Sequence, residues 1–231
     1  MDALGLIRTR VKWCEAEGVT ILCCPEAILG GLADYHAHPT QFAIAAVDLD
    51  SVLAPLASDT VTTIIGFTEL ADGRLYNSAA VFQRGSVAGL YRKLHPAINR
   101  SIYDAGRELP VFQVGALTFG IVICNDSNYS EPARLMAAQG ATALFVPTNN
   151  GLPRKRAGAE LVARARNVDI ATAVEYHMWV IRADVAGQNG DLVSYGSSGI
   201  VDPEGTVVRS AQELIEDLIV AEISPHKIWP I

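Results

Sequence analysis

The chain has 231 residues, half of them apolar and 19% charged, which excludes a disordered or fibrous protein and leaves enough apolar surface for one large core. Eighteen basic against 25 acidic side chains give a net charge of −7, the wrong sign for holding nucleic acid or an anionic membrane by overall field. The one basic cluster, Arg154, Lys155 and Arg156 beside Pro153, reads as a solvated loop. Four cysteines, Cys14, Cys23, Cys24 and Cys124, are too few and too irregularly spaced for a disulfide framework and point to a reduced cytoplasmic setting. No stretch has the length of a membrane span. The first 25 residues intersperse charges throughout and lack the order of a signal peptide, so neither export nor insertion is expected.

Leu4, Ile7, Val11 and Cys14 recur at spacings of three and four, with Asp2 as N-cap and Gly18 as stop, and predict an opening amphipathic helix. Val19 to Cys24, closed by Pro25, reads as a strand buried on both faces. A helix around Leu49 to Ala57 follows a loop with Gly30 and Gly31. Runs at Val61 to Thr68, Leu75 to Phe82 and Val87 to Tyr91, separated by Ala71-Asp72-Gly73 and Arg84-Gly85-Ser86, predict an antiparallel meander. A hairpin pairs Val111 to Val114 with Leu117 to Cys124, followed by a helix from Glu131 to Gln139 and a buried strand from Ala143 to Val146 ending at Pro147. A long helix from Ala159 to Glu175 precedes strands at Met178 to Ala183, Gly199 to Val201 and Leu218 to Ala221, the last two joined through the turn Asp202-Pro203-Glu204-Gly205. No linker, short repeat or low-complexity tract interrupts this order. It describes one α/β domain over residues 1–231 with helix layers covering sheets.

Three residues stand where chemistry is plausible. Cys124 ends the apolar run Ile121-Val122-Ile123 and is followed at once by Asn125, Asp126 and a helix start. That arrangement lifts a thiol toward peptide N–H groups and the positive end of a helix, as at a nucleophile elbow, although a cysteine after three apolar residues is by itself more often a small core residue. A thiol nucleophile needs a base and a cation or N–H pair for the oxyanion. None of His36, His38, His95, His177 and His226 sits in a recognisable cysteine-protease signature. Glu26, directly after the buried strand in Cys23-Cys24-Pro25-Glu26-Ala27, is the other candidate base, and Lys93 in Tyr91-Arg92-Lys93-Leu94-His95-Pro96 is a candidate cation; each alone would pass for a surface residue.

Together, Pro25-Glu26, Tyr91-Arg92-Lys93-Leu94-His95-Pro96 and Ile123-Cys124-Asn125-Asp126 stand in an order that resembles the nitrilase superfamily of carbon–nitrogen hydrolases. Further agreement comes from Gly106 before Val111-Phe112, Glu131 and Arg134 after the cysteine, Arg164-Ala165-Arg166-Asn167 on the long helix, and Gly199-Ile200-Val201-Asp202-Pro203-Glu204-Gly205. The resemblance covers nearly the whole chain. It implies a four-layer α-β-β-α sandwich, assembly as a homodimer, and a Glu26-Lys93-Cys124 catalytic triad that needs no cofactor. No convincing metal spacing is present in the cysteines or in His36 and His38.

The resemblance also marks departures. Family members generally carry a second glutamate between the lysine and the cysteine, whereas 97–106 has none and Glu108 lies past Gly106. They also begin with a strand before the first helix, whereas this chain opens in the helix: either residues upstream are absent from it or that strand is missing. Nitrile-cleaving members typically have Trp after the cysteine; Asn125 here resembles the amidase and carbamoylase branches. The expected activity is hydrolysis of a small, non-peptide amide with release of ammonia, and Asn125, Tyr129 and Asn149 (or Asn150) are the candidate substrate-binding residues. Alternatives are hydrolysis of an N-carbamoyl compound, or a catalytically impaired binding or regulatory subunit. A nucleotide-binding Rossmann-like domain is disfavoured because no Gly-rich strand-to-helix turn is present.

Overall fold

The computed structural model describes residues 3–97, 101–156 and 158–224, which divide into two compact units, 1–108 and 109–231. In the first unit, helix α1 (Ala3–Glu17) buries Ile7, Val11 and Cys14 at the predicted spacing. It stops at Gly18, whose φ of +71° suits a residue without Cβ, while the Val19 N–H closes back on the Cys14 carbonyl at 2.9 Å. The predicted cap Asp2 lies outside the described residues. Strands β1 (Ile21–Cys23) and β2 (Ile44–Ala45) follow, then the short helix α2 (Leu49–Leu53), which tightens into a 3₁₀ turn over Ala54–Leu56. The meander is β3 (Thr62–Ala71), β4 (Arg74–Gln83) and β5 (Ser86–Arg92).

These strands form one mixed sheet in the order β1-β3-β4-β5, with β2 also on β3; β1 and β2 run parallel to β3 and the meander is antiparallel. Central β3 is buried from Thr62 to Glu69, which is why it reads as a continuous apolar and β-branched run. Two glycines let loops press onto this sheet. A Cβ on Gly66 would stand 2.5 Å from the Ala27 nitrogen and 2.6 Å from the Pro25 carbonyl oxygen, so only glycine lets the Pro25–Ala27 segment lie along β3. A Cβ on Gly106 would collide with the Arg92 carbonyl, and the Gly106 N–H instead donates to the Lys93 carbonyl at 2.8 Å.

The second unit contains β6 (Val111–Val114), β7 (Leu117–Ile121), helix α3 (Ser130–Ala138), β8 (Ala143–Thr148), β9 (Leu152–Pro153), helix α4 (Ala159–Tyr176) and β10 (Trp179–Asp184). It continues with β11 (Gly187–Asn189), β12 (Leu192–Ser194), β13 (Gly199–Val201) and β14 (Val207–Ser210). Its main sheet has the order β14-β13-β10-β8-β7-β6, and β9, β11 and β12 make a small separate sheet. The parallel neighbours β7, β8 and β10 are joined through α3 and α4, as parallel strands require. Phe119, fully buried, lies tilted against Phe112 at a centroid distance of 5.6 Å and edge-to-face with Phe145 at 5.1 Å in the apolar core.

The mixed α/β class is as expected from the sequence, with three local differences. Strand β7 ends at Ile121, so Cys124 opens a 3₁₀ turn rather than closing a strand. Strand β8 runs through Pro147 to Thr148. It pairs with β7 only from Ala143 to Phe145, so the missing N–H of Pro147 lies beyond that ladder. The segment 218–221 is not a strand; the partner of β13 is β14, whose exposed, alternating Val207 to Ser210 lacks the apolar density of a core strand.

Gly66→Ala should lower stability by about 1–3 kcal/mol, because the new methyl must push the Glu26 loop off β3. A urea midpoint unchanged from wild type would contradict this close approach.

Candidate functional site

Glu26 sits one residue past Pro25, where the chain leaves β1 and remains knitted to β3. Cys24 donates to the Ile64 carbonyl at 2.9 Å and Leu29 to the Gly66 carbonyl at 3.1 Å, so the loop has no slack. Ala27 takes a φ of +49°, a conformation costly for a residue with a Cβ, which turns the chain so that the Glu26 carboxylate points inward. Lys93 follows the last residue of β5, held by its N–H to the Asn77 carbonyl at 2.8 Å. The two side chains, 1% and 4% exposed, meet with Lys93 Nζ 2.5 Å from Glu26 Oε1. Asn77 of β4, also buried, donates its Nδ2 to the same oxygen at 2.7 Å. A carboxylate oxygen engaged by an ammonium and an amide N–H is held in position.

Sequence reasoning missed Asn77, because an asparagine on a strand of a meander carries no motif on its own. It also missed the region's second buried carboxylate. Glu69 of β3 accepts Arg92 Nε at 2.8 Å, Arg92 Nη2 at 2.6 Å and the Ser78 hydroxyl at 2.7 Å, while Arg92 stacks 4.2 Å over the Tyr76 ring. Glu108, the doubtful replacement for the second loop glutamate, is exposed and acts electrostatically on Arg92. Among the described residues of this loop Tyr103 is buried, and its hydroxyl bonds the Ala33 N–H and Thr68 Oγ1, both at 2.7 Å. Burial pushes that phenol above its ordinary value, and the Glu26 carboxylate contributes in the same direction.

In the second unit Cys124 is half-buried and has a φ of +47°. A left-handed cysteine between an apolar strand and a turn is a strained position of the kind found at reactive centres. The turn is tied by Asp126, whose N–H donates to the Ile123 carbonyl at 3.0 Å and whose Oδ2 accepts the Ile123 N–H at 3.1 Å. Asn125 accepts from Asn128 Nδ2 at 3.1 Å, and Tyr129, 47% exposed, links the turn to α3. Asn149 and Asn150 differ in role. Asn149 Oδ1 accepts the Gly151 N–H at 3.1 Å and shapes a turn, whereas Asn150 Oδ1 lies 3.9 Å from Cys124 Sγ as the thiol's acceptor. Arg166 of α4 donates to the carbonyls of Ser197 and Ser198 and to Ser210, tying the helix to the β13–β14 region.

The four cysteines are free. Burial pushes the Cys24 thiol up to about 12, with the neighbouring Cys14 adding to the effect, raises Cys23 well above its ordinary value, and raises Cys14. Among the described residues no group of three or more His, Cys, Asp or Glu is arranged to hold a metal, and no helix is long and apolar enough to cross a membrane.

The model of the carbon-nitrogen hydrolase family matches residues 5–230, and the chain belongs to that family. It is 29% identical over 225 residues to the nitrilase of Pyrococcus abyssi, covering 94% of this chain and 82% of that protein. It is 32% identical over 181 residues to N-carbamoylputrescine amidase of Solanum tuberosum, covering 71% of this chain and 60% of that enzyme's length. A solved mutant of the amidase of Nesterenkonia sp. AN1 matches with a TM-score of 0.75 at 21% identity, covering 90% of this chain and 79% of that one; it carries the acetamide moiety of fluoroacetamide on its active-site cysteine.

Two outcomes follow from these geometries. Lys93→Met removes the cation facing a buried carboxylate and should cost about 3–5 kcal/mol in chemical denaturation, with part of the loss recovered in Glu26→Gln/Lys93→Met; a single-mutant cost below about 1 kcal/mol would contradict the buried pair. Iodoacetamide labelling between roughly pH 6 and 9 should favour Cys124, because a thiol with its pKa raised by burial stays protonated and unreactive there. Peptide mapping that finds Cys14, Cys23 and Cys24 labelled as fast as Cys124 would contradict this.

Proposed function

We propose that the protein is an amidase that hydrolyses a non-peptide carbon–nitrogen bond of a small amide through a thioester on Cys124, residues 1–231 acting as a single carbon-nitrogen hydrolase domain. The observation that carries this reading is the buried Glu26–Lys93 ion pair with Asn77 on the same carboxylate oxygen. An interior charge pair is expensive to desolvate, and membership of a carbon-nitrogen hydrolase family gives it a chemical use. Glu26 takes the proton of the Cys124 thiol, and the sulfur attacks the amide carbon. Negative charge gathers on the substrate oxygen, where Lys93 and the peptide N–H of Asn125 stabilise it. Glu26 returns the proton to the departing nitrogen, ammonia leaves, and the acyl group remains on sulfur. A water then gives a proton to Glu26 and its oxygen to the acyl carbon; the carboxylic acid departs and the proton returns to sulfur.

Asn125 in place of tryptophan after the cysteine favours amides over nitriles by family resemblance. The Nesterenkonia neighbour, an amidase that takes up an acetamide moiety on its cysteine, supports a small acyl group. Asn125, Tyr129 and Asn149 face the substrate in this reading. Assembly as a homodimer in the cytoplasm, where four free thiols would persist, belongs to the same reading. The relative named N-carbamoylputrescine amidase favours N-carbamoyl compounds as the second reading.

Ammonia release from small amides, ω-amides, N-carbamoyl amino acids and nitriles separates these readings. The expected result is release from small amides, lost by about 10³-fold or more in Cys124→Ala and in Glu26→Gln. Release from N-carbamoyl compounds alone would move the assignment to the second reading. Silence from a folded wild type toward every class would overturn the enzyme reading in favour of a binding or regulatory subunit.

A further inference from the structure

Strand β10 ends in two buried charges of opposite sign, Arg182 and Asp184, 3% and 6% exposed and two residues apart, so that both side chains leave the same face of the strand. Each reaches Cys124 through one neutral side chain. The guanidinium of Arg182 grips Asp169 of α4 through Nε at 2.9 Å and Nη2 at 2.6 Å and donates Nη1 to Thr148 Oγ1 at 2.8 Å. Its Nη2 also donates to Ser127 Oγ at 3.0 Å, and the Ser127 hydroxyl in turn donates to the Cys124 carbonyl at 2.7 Å. Burial opposes the charge on Arg182, but the Asp169 carboxylate, with smaller contributions from Cys124 and Asp184, holds the guanidinium above its ordinary value.

The second arm fixes the thiol. Asp184 accepts both donors of Asn150, the backbone N–H on Oδ1 at 3.1 Å and Nδ2 on Oδ2 at 3.0 Å, and it is braced by the Ser197 N–H at 2.9 Å and hydroxyl at 2.7 Å. A carboxylate only accepts, so the Asn150 amide can present only its Nδ2 to Asp184, which leaves Oδ1 turned toward Cys124 Sγ. Two charges buried at one strand end cost more than an apolar pair would, and neither is needed to continue the sheet. Their hydrogen bonds run to the two parts of Cys124 that must be held still: its left-handed backbone and its sulfur.

We propose that Arg182 and Asp184 are positioning residues for Cys124, Arg182 setting the backbone of the cysteine through Ser127 and Asp184 setting the direction of its thiol through Asn150. The proposal rests on Cys124 being the nucleophile. Ser127→Ala cuts the first arm while leaving the Arg182–Asp169 pair in place, Ser127→Thr keeps the hydroxyl, and Asn150→Ala cuts the second arm. Two readouts are used: the iodoacetamide alkylation rate of Cys124, which needs no substrate, and kcat against KM on the best amide.

Ser127→Ala and Asn150→Ala should each slow alkylation and lower kcat by about five- to tenfold, the worth of one hydrogen bond, with KM within about twofold, and Ser127→Thr should restore wild-type values. Variants that unfold at lower urea but keep wild-type alkylation and kcat when folded would overturn the proposal and leave the network a purely structural one. Should Ser127→Ala not fold, the Asn150→Ala rates decide in the same way. A wild type that hydrolyses nothing but still shows the alkylation effects would sink the amidase reading and leave the positioning role standing.

Discussion

A carboxylate and an ammonium 2.5 Å apart, each almost wholly removed from water, set the main demand on the first unit of this chain. Such a pair is favourable only where hydrogen bonds offset the desolvation of both charges. Four strands supply its surroundings, with Asn77 Oδ1 left buried and without a hydrogen-bond partner. β1 delivers Glu26, β5 delivers Lys93, β4 supplies Asn77 to the shared oxygen, and β3 supplies Gly66, without whose bare Cα the Glu26 loop could not approach. Gly106 lets a second segment cross over Arg92 and bond the Lys93 carbonyl. The sheet holds the Glu26–Lys93 pair near its strand ends, beside the Arg92–Glu69 pair of β5 and β3.

The second unit solves a different problem with the same means. Cys124 is held at a backbone angle that costs energy, and strain of that kind persists only where the surroundings over-determine it. Asp126 closes the turn, Ser127 holds the carbonyl and Asn150 faces the sulfur, while the buried charges of β10 stand behind the last two. Burial pushes the Asp184 carboxyl up, but hydrogen bonds from Ser197 and Asn150 and the charge of Arg182 work the other way. In both units, then, apolar strands carry polar groups at their ends, where loops can satisfy them.

Most elements of the fold could be read from the sequence because their signals are local. Alternation, apolar runs and the turns at Asp72-Gly73 and Arg84-Gly85 place the meander within a few residues, and three- and four-residue spacing places α1 and α4. What escaped was set by tertiary pairing. The two- and three-residue strands β2, β9, β11 and β12 are too short to show a period, and β14 is recognisable only by its partner β13. Glu26, Lys93 and Cys124 stood out through their ordered context, which family resemblance supplied. Asn77, Arg182 and Asp184 did not, since a buried polar residue on a strand looks like any strand residue until its hydrogen-bond partners are known.

Acylation of Cys124 during turnover is tested most directly by mass spectrometry of the wild-type protein, quenched in acid shortly after mixing with butyramide and digested. The expected result is a butyryl group on the peptide bearing Cys124, absent after long incubation and absent from Cys124→Ala. A butyryl group on Cys14, Cys23 or Cys24 instead, or ammonia released with no acylated peptide in any quenched sample, would contradict it.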